Sequence, residues 1–266
     1  MLFRSAVGYG LSLDSVAELR NQGFSVFKIK IGSDPDKDGN VEKMLKWDCE
    51  RISSIHSLIG NMLDSEEAPP LYYLDANSRY PSISSVQRLA DHIEQIGALS
   101  QTILLEEPLQ NFRSEPVHQI PITVVADESA TDIQTVNELI DLGYGAVALK
   151  PIAKTLSKTL QVAELCNQRG IASFCADLTV NPAMLDWNRT IAARLDSIPG
   201  LSSGLMETNG FQNYADWKRL SSFHPQPDAG WTQMVDGKFV LDPGFFDNNG
   251  CIFDALPHYE SLTHNG

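Results

Sequence analysis

Phe27-Lys28-Ile29-Lys30-Ile31-Gly32 reads as a β-strand in which lysines alternate with apolar residues. Successive side chains of a strand point to opposite faces, so Lys28 and Lys30 face one way and Phe27, Ile29 and Ile31 the other. The flanks are apolar, which predicts a strand buried on both faces. Two buried ammonium groups on one face are costly unless negative groups stand opposite them. The chain supplies such groups in order. Asp75, Glu106 and Asp127 each end an apolar, strand-like run, and a third lysine, Lys150, ends a further one.

Outward from that strand, residues 4–9 read as a short first strand, and Ser12 or Asp14 as the cap of a helix that stops at Gly23. Residues 34–39 form a polar loop. It lacks the glutamate a calcium loop needs at its far end, so it reads as a solvated turn. Residues 40–60 carry the longest helical period, through Val41, Met44, Leu45, Ile52, Ile55 and Leu58. Strands are predicted at 71–75, 102–106, 123–127, 145–151, 171–175 and 201–206. Helices are predicted from Val86 to Ile96, from a Thr131 cap to Gly143, over 154–168, from Asn181-Pro182, and around 213–222. Met234 to Val240, with Asp236-Gly237 at its centre, is a hairpin signal.

The strands alternate with helices, and those after the first are nearly continuous apolar runs, as in sheets covered on both faces. This predicts an α/β fold: a (β/α)8 TIM-type barrel over residues 1–222, with an insertion at 34–70 and a C-terminal extension, 223–266, packed on the barrel. A doubly wound open sheet is the alternative. It is disfavoured because no Gly-rich phosphate loop follows the first strand. A chain of 266 residues suits one barrel of about 250 residues.

Composition narrows the function classes. The chain is 42% hydrophobic, enough for a sizeable core, and carries 20 Lys+Arg against 34 Asp+Glu, a net charge of −14. That sign argues against nucleic acid or an anionic membrane as a partner. No apolar run approaches the roughly 18 residues of a membrane span, and the apolar run at the start is too short for a signal peptide. Cys49, Cys166, Cys175 and Cys251 are scattered with no CxxC, which predicts free thiols and a cytoplasmic location. The six histidines show no metal-ligand spacing. Trp187, Trp217 and Trp231 read as packing residues, with Trp231 also a candidate for the barrel mouth.

In such a barrel the C-terminal strand ends carry the active site. Lys30 would end strand two, Asp75 strand three, Glu106 strand four, Asp127 strand five and Lys150 strand six. The three carboxylates then form one arc with lysines on either side. Three oxygen ligands from adjacent strands suit a hard octahedral cation, Mg²⁺, with Mn²⁺ as an alternative. A lysine with its ordinary pKa near about 10.4 is a poor base at neutral pH; a nearby divalent cation and a second ammonium lower it. Lys28, one inward position deeper, would help to depress Lys30. The metal would hold a substrate carboxylate and stabilise the enediolate left when the α-proton departs. Each motif alone is weak: an isolated Asp at a strand end is usually a cap or turn residue. The ordered set of five is what points to chemistry.

On Lys28-Ile-Lys30, Leu74-Asp75-Ala76-Asn77, Leu105-Glu106-Glu107-Pro108, Ala126-Asp127-Glu128-Ser129 and Leu149-Lys150-Pro151, the chain resembles the enolase superfamily, specifically its muconate lactonizing enzyme subgroup, over roughly residues 1–210. The resemblance implies Asp75, Glu106 and Asp127 as Mg²⁺ ligands and Lys30 and Lys150 as the acid/base pair, with Lys28 beside them. Glu106 is chosen over Glu107 by the family's motif. Asn77, Asp177, Glu207 and Asn209 become candidate substrate contacts, with Asn181 nearby. Dipeptide epimerases of the subgroup carry Asp-x-Asp at the eighth strand, where this chain has Glu207-Thr208-Asn209. Family members carry an N-terminal α+β capping domain. This sequence starts at the first barrel strand, so a barrel without that cap is the expectation, and the 34–70 insertion is a candidate partial lid or a surface decoration. The implied activity is racemisation or epimerisation of a small carboxylate substrate, a dipeptide or N-acyl amino acid. The alternatives are cycloisomerisation, β-elimination, or a binding-only barrel. Assembly as a homo-oligomer is left open.

Overall fold

Eight parallel strands close into a ring, because β1 (Leu2–Val7) pairs both with β2 (Val26–Lys30) and with β8 (Leu205–Glu207). Between them run β3 (Leu71–Asp75), β4 (Thr102–Glu106), β5 (Thr123–Ala126), β6 (Ala146–Leu149) and β7 (Ala172–Cys175), each beside its sequence neighbour. The computed structural model describes residues 2–64, 67–176, 179–201 and 204–263. The outer layer holds α1 (Leu13–Asn21), α2 (Val41–Gly60), α3 (Ile83–Gln95), α4 (Ile133–Asp141), α5 (Leu156–Arg169) and α6 (Leu185–Ala192). Short α7 (Gly210–Asn213) and α8 (Trp217–Ser221) follow β8. The tail carries a hairpin of β9 (Met234–Val235) and β10 (Lys238–Phe239), then α9 (Pro243–Asp247) and α10 (Pro257–Thr263).

Two separate cores follow from strand alternation. Inside the ring lie Val26, Tyr73, Leu104, Val125, Ala146, Ala148, Phe174 and Leu205. Outside it Phe27, Ile29, Leu74, Leu105, Val124, Val147 and Leu149 pack under helix residues such as Val16, Ile52, Val86, Leu89, Val136 and Val162. The β6 alanines leave room for two larger rings, Tyr73 and Phe174, which meet edge to face at 5.6 Å between centroids. Two positions beyond five of these inward apolar residues comes a charged one: Tyr73 leads to Asp75, Leu104 to Glu106, Val125 to Asp127, Ala148 to Lys150 and Leu205 to Glu207. On β2, Val26 is followed at the same step by Lys28 and then Lys30. The apolar plug therefore floors a charged layer at the C-terminal strand ends.

Several predicted elements change. The first strand covers Leu2–Val7, not 4–9; the eighth covers Leu205–Glu207, and residues 202 and 203 of the expected 201–206 lie outside the described residues. No helix links β4 to β5; residues 107–122 are turns, started by Pro108. Asp132, not Thr131, caps α4, accepting from Thr135 N at 2.9 Å. The single helix expected around 213–222 is two short ones. Ser12, one of two candidates, caps α1. Within the 34–70 stretch, α2 packs between α1 and α3, burying Met44, Leu45, Ile52, Ile55 and Ile59. Its N-terminal loop is the solvated turn expected, with Lys43 bound to Asp36 and Asp38.

β10 pairs antiparallel with β1 at Leu2–Lys238. Buried Arg189 of α6 sits over the Phe239 ring at 4.1 Å and binds Asp186 at 2.6 Å, and Asp186 also binds His224. Trp231 packs on Phe245 within the tail, away from the barrel mouth, since its flat ring fills the small apolar cluster there. A cavity of about 560 Å³ lies in this region, lined by Arg189, Thr208, Trp217, His224 and Phe239 among others; none of the charged-layer residues lines it. Among the described residues no helix is long and apolar enough to cross a membrane.

Candidate functional site

The parallel register sets Lys30 beside Asp75 and Asp75 beside Glu106, so the charged layer is contiguous across β2, β3 and β4. Lys28 Nζ lies 2.7 Å from Asp75 Oδ2, 2.8 Å from Glu106 Oε2 and 3.6 Å from Glu207 Oε2. Its side chain is only 4% exposed, which makes it a counter-ion sealed under the layer. Lys30 is 28% exposed and reaches solvent; its Nζ is 2.5 Å from Asp75 Oδ2 and donates to Asn77 Oδ1 at 2.6 Å. Lys150 Nζ is 2.5 Å from Asp127 Oδ2 and 3.6 Å from Glu128 Oε1. Glu106, Asp127 and Glu128 each offer a carboxylate oxygen, all within 4.8 Å of one another. Asp127 Oδ1 is buried and accepts no hydrogen bond.

The structure thus brings together Lys28, Lys30, Asp75, Asn77, Glu106 and Glu207 on one arc, and Asp127 and Lys150 beside Glu106. Asn209 opens α7 beyond β8. Asp177 lies outside the described residues.

Two residues of the layer were not singled out from the sequence. Tyr73 donates its hydroxyl to Glu106 Oε2, and its ring lies 5.1 Å from Lys28 Nζ. The signal was there, since Tyr73 shares the parity of Asp75. An aromatic in an apolar run reads as packing, however, and its hydroxyl's partner is 33 residues away. Glu128 stands at the metal-capable edge because β5 ends at Ala126. Past that point the chain turns, so alternation no longer sends residue 128 outward.

Glu107 points away from the layer with φ 41°, a left-handed conformation rare outside glycine. Its Oε1 accepts from Asp127 N at 2.6 Å, Ser129 N at 2.8 Å and Ser129 Oγ at 2.5 Å. The second glutamate of Glu106-Glu107-Pro108 therefore orients the turn that presents Asp127. Burial raises its pKa above the ordinary value despite those donors. Asp127 itself is pushed up to about 8, by burial first and by the neighbouring Glu106 second, against the pull of Lys150. Burial draws Lys150 down, but Asp127, Glu128 and Glu106 together outweigh it and hold the ammonium above its usual range.

The turn after β2 is held from outside the barrel. Asp48, fully buried on α2, accepts from Gly32 N at 2.8 Å, Ser33 N at 3.3 Å and Tyr80 Oη at 2.7 Å. Burial pushes its carboxyl up to about 6 even against these donors. A folded pKa above the unfolded one means that stability from this group is full below about 3.8 and is lost as pH rises through about 6. On acidification from neutral pH to pH near 4, the wild type should gain about 2 kcal/mol that Asp48→Asn does not. Urea unfolding of both proteins across that range checks this, and a gap that does not move with pH would sink it.

Residues 12–196 match the family described as Enolase C-terminal domain-like. Among solved structures, the chain is similar to a mandelate racemase/muconate lactonizing protein from Paracoccus denitrificans Pd1222, at 19% identity and TM-score 0.64, over 91% of this chain and 61% of that one. It is similar to a dipeptide epimerase from Enterococcus faecalis V583, solved with Mg and the dipeptide L-Leu-L-Tyr, at 18% identity and TM-score 0.59, over 77% and 54%. It is also similar to a muconate lactonizing enzyme from Klebsiella pneumoniae, at 18% identity and TM-score 0.55, over 77% and 52%. No curated protein sequence matches. The chain spans between 52% and 61% of the length of these three structures. Likeness at these identities is likeness of fold.

Proposed function

The chain belongs to the enolase C-terminal domain-like family, and from that premise we propose that it removes a proton α to a carboxylate, as a racemase or epimerase of dipeptides or N-acyl amino acids. The observation that carries this reading is the opposition of two lysines across one carboxylate arc. Lys30 and Lys150 end β2 and lie just past β6, four strands apart in a ring of eight, so they face the site from opposite sides.

The donor set fits a hard divalent cation. Glu106, Asp127 and Glu128 each place a carboxylate oxygen within 4.8 Å of the others, and a buried Asp127 oxygen is free of hydrogen-bond donors. Asp75, Glu106 and Asp127 would hold Mg²⁺, with Glu128 at the edge of the site. When bound, Mg²⁺ would neutralise a substrate carboxylate and so acidify the adjacent C–H bond. The chain's own residues do the rest. Lys30, in its neutral form, takes the proton from one face of the α-carbon. Lys150, as ammonium, returns one to the other face. Lys28, with Tyr73, fixes Glu106 and neutralises the floor of the layer. The apolar plug beneath keeps bulk water from the reacting carbon from below.

The test is α-proton exchange in D₂O followed by NMR, with a panel of dipeptides and N-acyl amino acids, in Mg²⁺ and in chelator. Deuterium is expected to enter the α-position of at least one panel member with inversion, and only with the metal. Exchange without inversion would favour elimination or a one-base reaction. No exchange with any member, while calorimetry shows Mg²⁺ bound, would leave a metal-binding barrel and remove the racemase reading.

A further inference from the structure

The loops carrying Lys30 and Asn77 are joined to each other and to α2 by a single buried carboxylate. Asp48 receives the backbone of the β2 turn at Gly32 and Ser33 and the hydroxyl of Tyr80 from the β3 loop. Gly32 has φ 78°, and a Cβ there would sit 2.5 Å from Arg79 Cβ, so the two loops lie against each other with only glycine between them. Tyr80 continues the connection to the β4 loop: its N–H bonds Pro108 O at 3.0 Å, and its carbonyl accepts from Gln110 N at 2.8 Å. Ser78 N donates to Glu107 O at 2.6 Å in the same seam. From the other side, Tyr9 Oη donates to Ile31 O at 2.8 Å. Lys30 and Asn77, which hydrogen-bond each other, are thus anchored to two turns that meet at Asp48.

We propose that Asp48 is a positioning residue: from the outer helix layer it sets the distance of the Lys30 ammonium from Asp75 and Asn77, and so the pose of the base at the reacting carbon. It touches no reacting group itself. The role rests on the reading of Lys30 as a base, but the clamp does not. Misplacing a catalytic group by about 1 Å costs on the order of 10²-fold, which sets the scale of the effect.

The experiment compares Asp48→Asn and Tyr80→Phe with Asp186→Asn, a control that weakens the buried tail cluster instead. Reductive ¹³C-methylation marks the lysine Nζ atoms, and Lys30→Arg assigns the Lys30 signal. Both clamp variants are expected to shift that signal and to speed amide exchange at Gly32 and Ser33 at least tenfold. Asp186→Asn, at similar loss of Tm, should do neither. With any panel substrate the wild type turns over, Asp48→Asn should lower kcat tenfold to a hundredfold and leave KM within threefold. Clamp variants that match the control in the Lys30 signal and in Gly32/Ser33 exchange overturn the proposal, as does an unchanged kcat. A shifted Lys30 signal in a protein that exchanges no α-proton would remove the functional reading and leave the clamp standing.

Discussion

Lys30→Ala and Lys150→Ala are each expected to lower net inversion at the substrate α-carbon by about 10² to 10⁴-fold, the usual contribution of a positioned general acid or base. Inversion needs a proton removed from one face and another delivered to the opposite face, so loss of either lysine stops the cycle. Exchange is the finer readout. With separated antipodes, each variant should lose deuterium uptake from the configuration its lysine faces. Lys28→Ala would be a poor substitute for either test, because Lys28 is sealed beneath the layer at 4% exposure and its removal disturbs three carboxylates. If Lys150→Ala kept full inversion, Lys150 would be only a counter-ion for Asp127, and the two-base reading would be wrong.

The second large effect is on stability. Lys28→Met keeps the length and volume of the side chain and removes its charge. Glu106, fully buried, would then lose its contact with Lys28 at 2.8 Å and Glu207 its more distant one, while Asp75 would lose its contact at 2.7 Å but keep its pair with Lys30. Removing one partner of a buried ion pair costs about 3–5 kcal/mol, because the remaining charge is stranded in a low-dielectric interior. Urea unfolding in chelator at neutral pH should show a loss of that size. Adding Glu106→Gln to Lys28→Met should return part of it, since one stranded charge disappears. A loss below about 1 kcal/mol, within the range of exposed pairs, would mean that solvent reaches the layer and that the apolar plug does not seal it.

These two predictions draw on different kinds of information. The lysine strand, the run of strand ends and the period-two alternation are local. Each can be read within a few residues, because a strand must put residues i and i+2 on one face whatever surrounds it. That is why the order Lys30, Asp75, Glu106, Asp127, Lys150 and the barrel itself were legible, whereas the choice of Glu106 over Glu107 came from the resemblance to a family motif. The same logic failed where a strand stops. Glu128 joins the edge of the layer because β5 ends two residues earlier.

What the sequence determined alone, then, is the fold class and the charged ring, since both follow from alternation along short runs. Only the tertiary structure decided what holds that ring in place. Tyr73 reaches Glu106 across 33 positions, and Asp48 reaches Gly32 across 16 and Tyr80 across 32. A buried Asp in a helix and a Tyr in an apolar strand carry no local mark of such partners. Their roles arise from which elements the closed ring sets side by side, and ring closure is a property of the whole chain.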